Sequence, residues 1–252
     1  MLTFGPGRPR RPTASAWRAL PWLWLGIAGM VHAASLQVAP TSLQLTPGQN
    51  ADALWVSNSG TSPVDVQARV FRWTQRDGKD ALEPTTELAV SPPMQSLAAG
   101  QQQLIRVVRV QPEAPAAQLA YRVIVDEVPT LDPARRGMQF VLRYSLPVFV
   151  QPAGGQPPAP DLQASVVDLG AGRIALQVHN RGNSYAQIAD LAVGDPARPQ
   201  IVQPGLLGYV LSGQTMRWPL ELTAARMAGG TLSAKINGEQ AQTPLPLAPP
   251  SR

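Results

Sequence analysis

Apolar residues along this chain recur at spacing two, in short runs separated by turn-forming residues. In "SLQVAPTSLQLTPGQNADALWVSNSG" (35–60), Leu36 and Val38, then Leu43 and Leu45, share a parity. Alternation of this kind puts apolar side chains on one face of a strand and polar ones on the other. "TPGQ" and "SNSG" supply turns. "PVDVQARVFRWTQ" (63–75) sets Val64, Val66, Ala68 and Val70 against Asp65, Gln67 and Arg69, and Phe71 and Trp73 continue the polar row. "RDGK" (76–79) reads as a hairpin turn, because Asp-Gly tolerates positive φ. "LAVSPPMQSLAAGQQQLIRVVRV" (88–110) breaks at Pro-Pro, turns at Gly100 and ends in a strand, and "AYRVIVDEVP" (120–129) is another. After the Pro/Gly-rich "QPAGGQPPAP" (151–160) the pattern restarts with "LQASVVDLG", "GRIALQVHNRG", "YAQIADLAVG", "LGYVLSGQTMRWPL" and "GTLSAKING". Short strands at roughly 8–12-residue spacing predict an all-β chain of sandwich type. The decapeptide is the best domain boundary and reads as a stiff hinge. No heptad, phosphate-binding loop or repeat of fixed period is visible.

The last strand before the hinge, "GMQFVLRYSLPVFVQP" (137–152), has an unusual surface. Met138, Phe140, Leu142 and Tyr144 fall on one face, and Gln139, Val141, Arg143 and Ser145 on the other. Pro147 lacks a ladder donor, which restricts the strand to a sheet edge or ends its pairing there. A long apolar edge strand is an aggregation hazard that most proteins avoid. The row belongs either to this protein's own core or to a partner's. The loop "PTLDPARRG" (129–137) that leads into it is polar and carries Arg135 and Arg136.

Composition narrows the class. The chain is 44% hydrophobic and 15% charged, so it folds, and its 27 prolines and 21 glycines are dispersed between the apolar runs. Residues 1–33 read as a secretory signal. Arg8, Arg10, Arg11 and Arg18 form the basic region, "ALPWLWLGIAGMV" (19–31) the apolar one, and Val31 and Ala33 the small-residue cleavage positions. That apolar run is short for a membrane span, so no membrane insertion is expected after cleavage. The signal carries four of the 21 basic residues and no acidic ones, which leaves 17 against 16, net +1. A nucleic-acid partner is therefore not indicated. There is no cysteine, which excludes thiol chemistry and disulfides and leaves stability to burial in ordinary-sized domains.

Catalytic chemistry has little support. His179, the one histidine outside the signal, lies inside an apolar strand, where packing or hydrogen bonding is its usual role. No serine sits in a nucleophile-elbow motif. Asp126 and Glu127 are adjacent in a strand, so they point to opposite faces and cannot share a proton. No metal-ligand spacing is visible, and no metal or cofactor is expected.

The ordered set "PTSLQLTPGQ", "WVSNSG", "SPPMQSLAAGQQQLIRV", "YRVIVDEVP" and "RYSLPVFVQP" resembles the N-terminal domain of periplasmic pilus-assembly chaperones of the chaperone–usher type. "VHNRGNSYAQI", "YVLSGQTMRW" and "AKINGE" are similar, more loosely, to the second domain. The resemblance spans about residues 35–240. It implies two immunoglobulin-like β-sandwich domains set at an angle, a periplasmic location and no enzymatic activity. The domains would run 34–152 and 161–247, with a hinge at 153–160 and a tail at 248–252. Strand 138–150 would be lent to an incomplete pilus subunit, donor-strand complementation, with Met138, Phe140, Leu142 and Tyr144 filling the subunit's open groove. The implied partners are pilus subunits and an outer-membrane usher, and the apolar edge also suits self-association.

Two positions depart from the family pattern. Many members anchor the subunit's terminal carboxylate with an arginine after the first strand's threonine, where this chain has Ser42, and with a lysine where this chain has Pro147. Remaining basic candidates are Arg143, first by parity with Pro147, then Arg122 and Arg106. Glu127 and Gln151 lie where the family couples its domains through charges, and glutamine at 151 reduces that network to hydrogen bonds. Asn180, Asn183 and Tyr185 read as turn and corner residues. The competing readings are a secreted β-sandwich adhesin or pilus component, and a β-sandwich hydrolase. The first would need an alternating extension directly after Ala33, and the second a base beside a nucleophile or a carboxylate pair.

Overall fold

The computed structural model describes residues 36–111, 113–129, 140–154, 157–195, 198–223 and 231–247. The signal segment, the Arg135–Arg136 loop, Met138 and the 248–252 tail lie outside them. Among the described residues every regular element is a strand. In chain order these are β1 (Leu36–Ala39), β2 (Leu43–Leu45), β3 (Ala51–Asn58), β4 (Val64–Arg76), β5 (Lys79–Pro84), β6 (Leu88–Ser91), β7 (Met94–Leu97), β8 (Gln102–Arg109), β9 (Leu119–Val128) and β10 (Arg143–Val150). Then follow β11 (Leu162–Gly170), β12 (Arg173–Asn180), β13 (Ala186–Val193), β14 (Gln200–Val210), β15 (Thr215–Thr223), β16 (Leu232–Ile236) and β17 (Thr243–Pro244).

The first ten strands make one sandwich. Sheet β1-β3-β8-β6 faces sheet β2-β10-β9-β4-β5, with β7 also on β4. Alternation does the sorting: Leu54 and Val56 of β3 and Ile105 and Val107 of β8 meet Val66 of β4, Val123 and Val125 of β9, and Leu146 and Val148 of β10. Each such side chain stabilises by about 1.5–3 kcal/mol on burial. The two-residue turn at "RDGK" forms as its sequence requires, with φ of 53° at Asp77 and 72° at Gly78. The remaining strands make a second sandwich, β11-β12-β15 against β14-β13-β16-β17, around Leu176, Val178, Ile188, Leu191 and Leu232.

Although no fixed period marks the sequence, one corner occurs twice. Asn58 is buried, accepts from Gly60 N at 2.9 Å, and donates to Ser62 O at 2.8 Å and to Leu97 O at 3.0 Å. Asn180 is buried, accepts from Gly182 N at 2.9 Å, and donates to Ser184 O at 2.7 Å and to Val210 O at 3.1 Å. In both, the asparagine backbone pairs with a Gly-Gln turn, Gly100–Gln101 in one case and Gly213–Gln214 in the other. A buried side-chain amide thus satisfies backbone groups that the turning chain cannot pair.

The second sandwich covers the lower outer face of sheet β2-β10-β9-β4-β5. Trp73, Ala120 and Phe149 point away from the first core, yet they are buried against Leu211, Tyr185 and Tyr209. Phe149 stacks on Tyr185 with ring centroids 3.7 Å apart, and Trp73 meets Tyr209 edge-on at 5.3 Å. Gln75 donates to Tyr209 O at 2.8 Å and accepts from Leu211 N at 2.9 Å. Gln118 donates to Gln151 Oε1 at 3.1 Å and accepts from Tyr185 N at 2.8 Å, so Gln151 reaches the second sandwich through one glutamine. The hairpin tip also bridges onto the second sandwich, Gly78 with Met216 of β15.

Candidate functional site

Strand β10 is not uniformly an edge. On one side it pairs with β9 along its whole length, from Arg143 opposite Asp126 to Val150 opposite Leu119. On the other side β2 covers only its last residues, Val148 to Val150, in parallel. Upstream of Val148 that side carries no strand among the described residues. The backbone bond from Glu127 N to Leu142 O, 2.9 Å, fixes the phase of the ladder. Because bonding direction alternates along an antiparallel strand, the backbone groups of Val141, Arg143 and Ser145 face the open side. Pro147 follows them in phase, so its missing N–H falls on the open side and costs the β9 ladder nothing.

The apolar row answers to both owners. Leu146, Val148 and Val150 are in the first core, and Leu142 and Tyr144 are half-buried against it. Tyr144 also donates its hydroxyl to Leu36 O at 2.6 Å. Phe140, next in the row, is 80% exposed, and Val141 on the other face is 50% exposed. The described part of that row, Phe140, Leu142 and Tyr144, is therefore not uniform, and Met138 lies outside the described residues. Leu142 and Tyr144 are partly buried on their own sandwich, and among the described residues the regular strand begins at Arg143.

The basic candidates separate clearly. Arg143 is bound to Asp126, which Arg69 also holds at 2.5 Å, so the first choice by parity has a partner already. Burial pushes the Asp126 carboxyl up, but hydrogen bonds from Arg143 and Arg69 outweigh it and hold the pKa below the usual aspartate value. Arg106 lies on β8 in the opposite sheet, exposed, across from Ala53 and Ser91. Arg122 lies directly opposite Pro147. Leu43 pairs with Val148, so Ser42 stands beside Pro147. The two family positions and Arg122 thus form one row across β2, β10 and β9.

Arg122 is half-buried, with its guanidinium 3.7 Å from the Trp73 ring centroid and 5.2 Å from that of Tyr209. Its Nη1 donates to Ser145 O at 3.3 Å. Burial lowers its pKa from the usual arginine value, while Tyr209 and Asp80 act in the opposite sense. No ion pair to Arg122 exists among the described residues.

Glu127 bonds a backbone group, away from the second sandwich. It sits at the end of β9 remote from Leu119, hence remote from the second sandwich, and its carboxylate accepts from Leu142 N at 3.2 Å. His179 Nδ1 pairs with Thr215 Oγ1 at 2.9 Å. No group of three or more His, Asp or Glu side chains able to hold a metal ion occurs among the described residues. Trp73, Gln75 and Gln118 were not singled out from sequence. The available signal was Trp73, a large aromatic on the polar parity of β4.

Residues 35–156 match the pili and flagellar-assembly chaperones, in the N-terminal domain named for PapD. That match, over just under half of the chain, gives the first sandwich as an N-terminal domain of this chaperone family. Solved structures share the fold over both sandwiches. A chain of the chaperone–tip adhesion subunit pre-assembly complex from the archaic chaperone–usher Csu pili of Acinetobacter baumannii aligns with a TM-score of 0.68 at 24% identity, over 85% of this chain and 98% of that one. The E. coli chaperone DraB aligns with a TM-score of 0.56 at 19% identity, over 84% and 98%. A chain of the Salmonella enterica SafA pilin–SafB chaperone complex gives 0.56 at 19%, over 84% and 94%. No curated protein sequence matches the chain.

Proposed function

We propose that this chain is a periplasmic chaperone that captures pilus subunits on the open edge of β10 and hands them to an outer-membrane usher. One observation carries the reading: an apolar row that leaves its own core at Leu142 and continues into solvent at Phe140, beside backbone groups with no strand on their open side among the described residues. A sandwich lacking one strand exposes both core and an unpaired edge. Strand addition supplies the ladder from Val141, Arg143 and Ser145, and Phe140, with Met138 before it, supplies the apolar fill. Each fully buried large side chain contributes about 1.5–3 kcal/mol before ordering costs. That holds a subunit, yet a better-fitting strand can replace it, with no nucleotide and no catalysis.

Arg122 is the anchor for the subunit's terminal carboxylate. It shares a row with Ser42 and Pro147, it is free of carboxylate partners among the described residues, and its desolvation strengthens a charge-assisted bond. Arg143, paired with Asp126, and Arg106, on the other sheet, are less suited to this role.

The test is co-purification from the periplasm with tagged wild type, Phe140→Asp and Arg122→Gln, followed by mass spectrometry. The expected result is a small β-rich secreted protein, one-to-one with wild type, weakened by Arg122→Gln and absent from folded Phe140→Asp. The same partners with wild type and Phe140→Asp would remove the donor-strand assignment.

A further inference from the structure

The start of the donor strand is held from both sheet faces by two adjacent acidic residues of β9. Asp126 lies directly opposite Arg143 and bonds its guanidinium on the outer face. Arg69 of β4 binds the same carboxylate at 2.5 Å, so Asp126 ties together β4, β9 and β10. Its side chain is only 13% exposed beneath the two guanidinium groups. Glu127, of the opposite parity, acts on the inner side. Its backbone N–H donates to Leu142 O at 2.9 Å, and its carboxylate accepts the Leu142 N–H at 3.2 Å. The ladder therefore ends at Leu142 in a side-chain cap. The next residues, Val141 and Phe140, are exposed.

We propose that Asp126 and Glu127 form a two-sided clasp that fixes where the donor strand leaves the sheet, which makes them positioning residues for subunit capture. The capture half of this statement rests on the chaperone reading; the clasp half concerns the free protein. The physical need is definite. A strand end pairs with a partner only where its own amides are aligned, and ordering it at the moment of binding weakens association. The clasp orders Leu142 and Arg143 beforehand through groups that do not occupy the open side, leaving the Val141 and Arg143 backbone groups and the Ser145 N–H available. Adjacent residues on a strand point to opposite faces, so two neighbouring carboxylates reach both faces of β10 at one point.

The test combines amide exchange in the free protein with co-purification from the periplasm. In wild type the Leu142 amide is expected to be protected and the Val141 amide to exchange fast. Glu127→Ala should lower Leu142 protection roughly tenfold, the scale of one hydrogen bond to a charged acceptor, while Val123 in mid-β9 is unchanged. Glu127→Gln keeps an acceptor and should restore most of that protection. Asp126→Ala should release the Arg143 Nε–H resonance to solvent-exchange rates, and Asp126→Glu should slow it again. Partner yield should fall several-fold in Asp126→Ala/Glu127→Ala and recover in Asp126→Glu/Glu127→Gln. Unchanged Leu142 protection in Glu127→Ala overturns the clasp. Lost protection with unchanged partner yield overturns the positioning role. If Phe140→Asp, carried in parallel, still brings down the same partners, the chaperone reading fails while the exchange result still decides the clasp.

Discussion

The two halves of β10 follow one alternation and have opposite surroundings. From Leu146 to Val150 the inner face lies in the first core and Phe149 on the outer face lies under Tyr185 and the rest of the aromatic seam, and β2 closes the edge from Val148 onward. From Phe140 to Ser145 the inner face is half-covered, the outer face is exposed, and among the described residues no strand lies on the edge. The same residue types thus serve stability in one half and, in the proposed function, recognition in the other. The difference is set by neighbours: β2 is three residues long, and the second sandwich packs over the Phe149 row and, through Tyr209, reaches Arg122 opposite Pro147. A strand rooted this firmly can present an apolar end that would be a liability on a loose one.

Substitutions should separate the halves. Phe149→Ala removes a fully buried ring stacked on Tyr185. It should cost about 3–5 kcal/mol in thermal or denaturant unfolding. A loss below 1 kcal/mol would mean the seam contributes little. Gln75→Leu leaves Tyr209 O and Leu211 N without their partner. It should cost about 1–3 kcal/mol by the same measurement. Tyr144→Phe removes the bond to Leu36 O in the transition zone, worth about 0.5–1.5 kcal/mol. Phe140→Ala, at 80% exposure, should change stability by no more than about 0.5 kcal/mol while partner yield falls.

The smallest effect is a pH dependence. The Asp126 pKa is depressed in the folded state, so its contribution is complete above the ordinary aspartate value, about 3.9. That contribution is lost as pH falls below that value through the folded pKa. Acid unfolding followed by circular dichroism should show wild type gaining stability over Asp126→Asn as pH rises through that range, and parallel curves near neutrality.

Much of this arrangement is legible in sequence because period-two alternation reports faces directly. Val66, Ala68, Val123 and Val148 all lie where their parity puts them, and Asp77-Gly78 turns as its backbone preference requires. Alternation does not report what lies over a face. Trp73 and Phe149 share the parity of polar positions, and their burial comes from a second sandwich distant in sequence. Arg143 and Arg122 are equivalent as letters. Only register, which places Asp126 opposite one and Pro147 opposite the other, tells a paired arginine from an available one. The Asn58 and Asn180 corners were visible as N-x-G turns, but their equivalence rests on backbone bonds to Gly100 and Gly213, at different separations along the chain.

The most direct measurement is amide hydrogen exchange across β10, comparing the free protein with the complex isolated from the periplasm. Val148 to Val150 should be protected in both states. The Val141, Arg143 and Ser145 amides should exchange readily in the free protein and become strongly protected in the complex. If those three amides are unchanged by the partner and protection appears on another strand instead, then β10 is not lent, and its exposed apolar end has a different purpose.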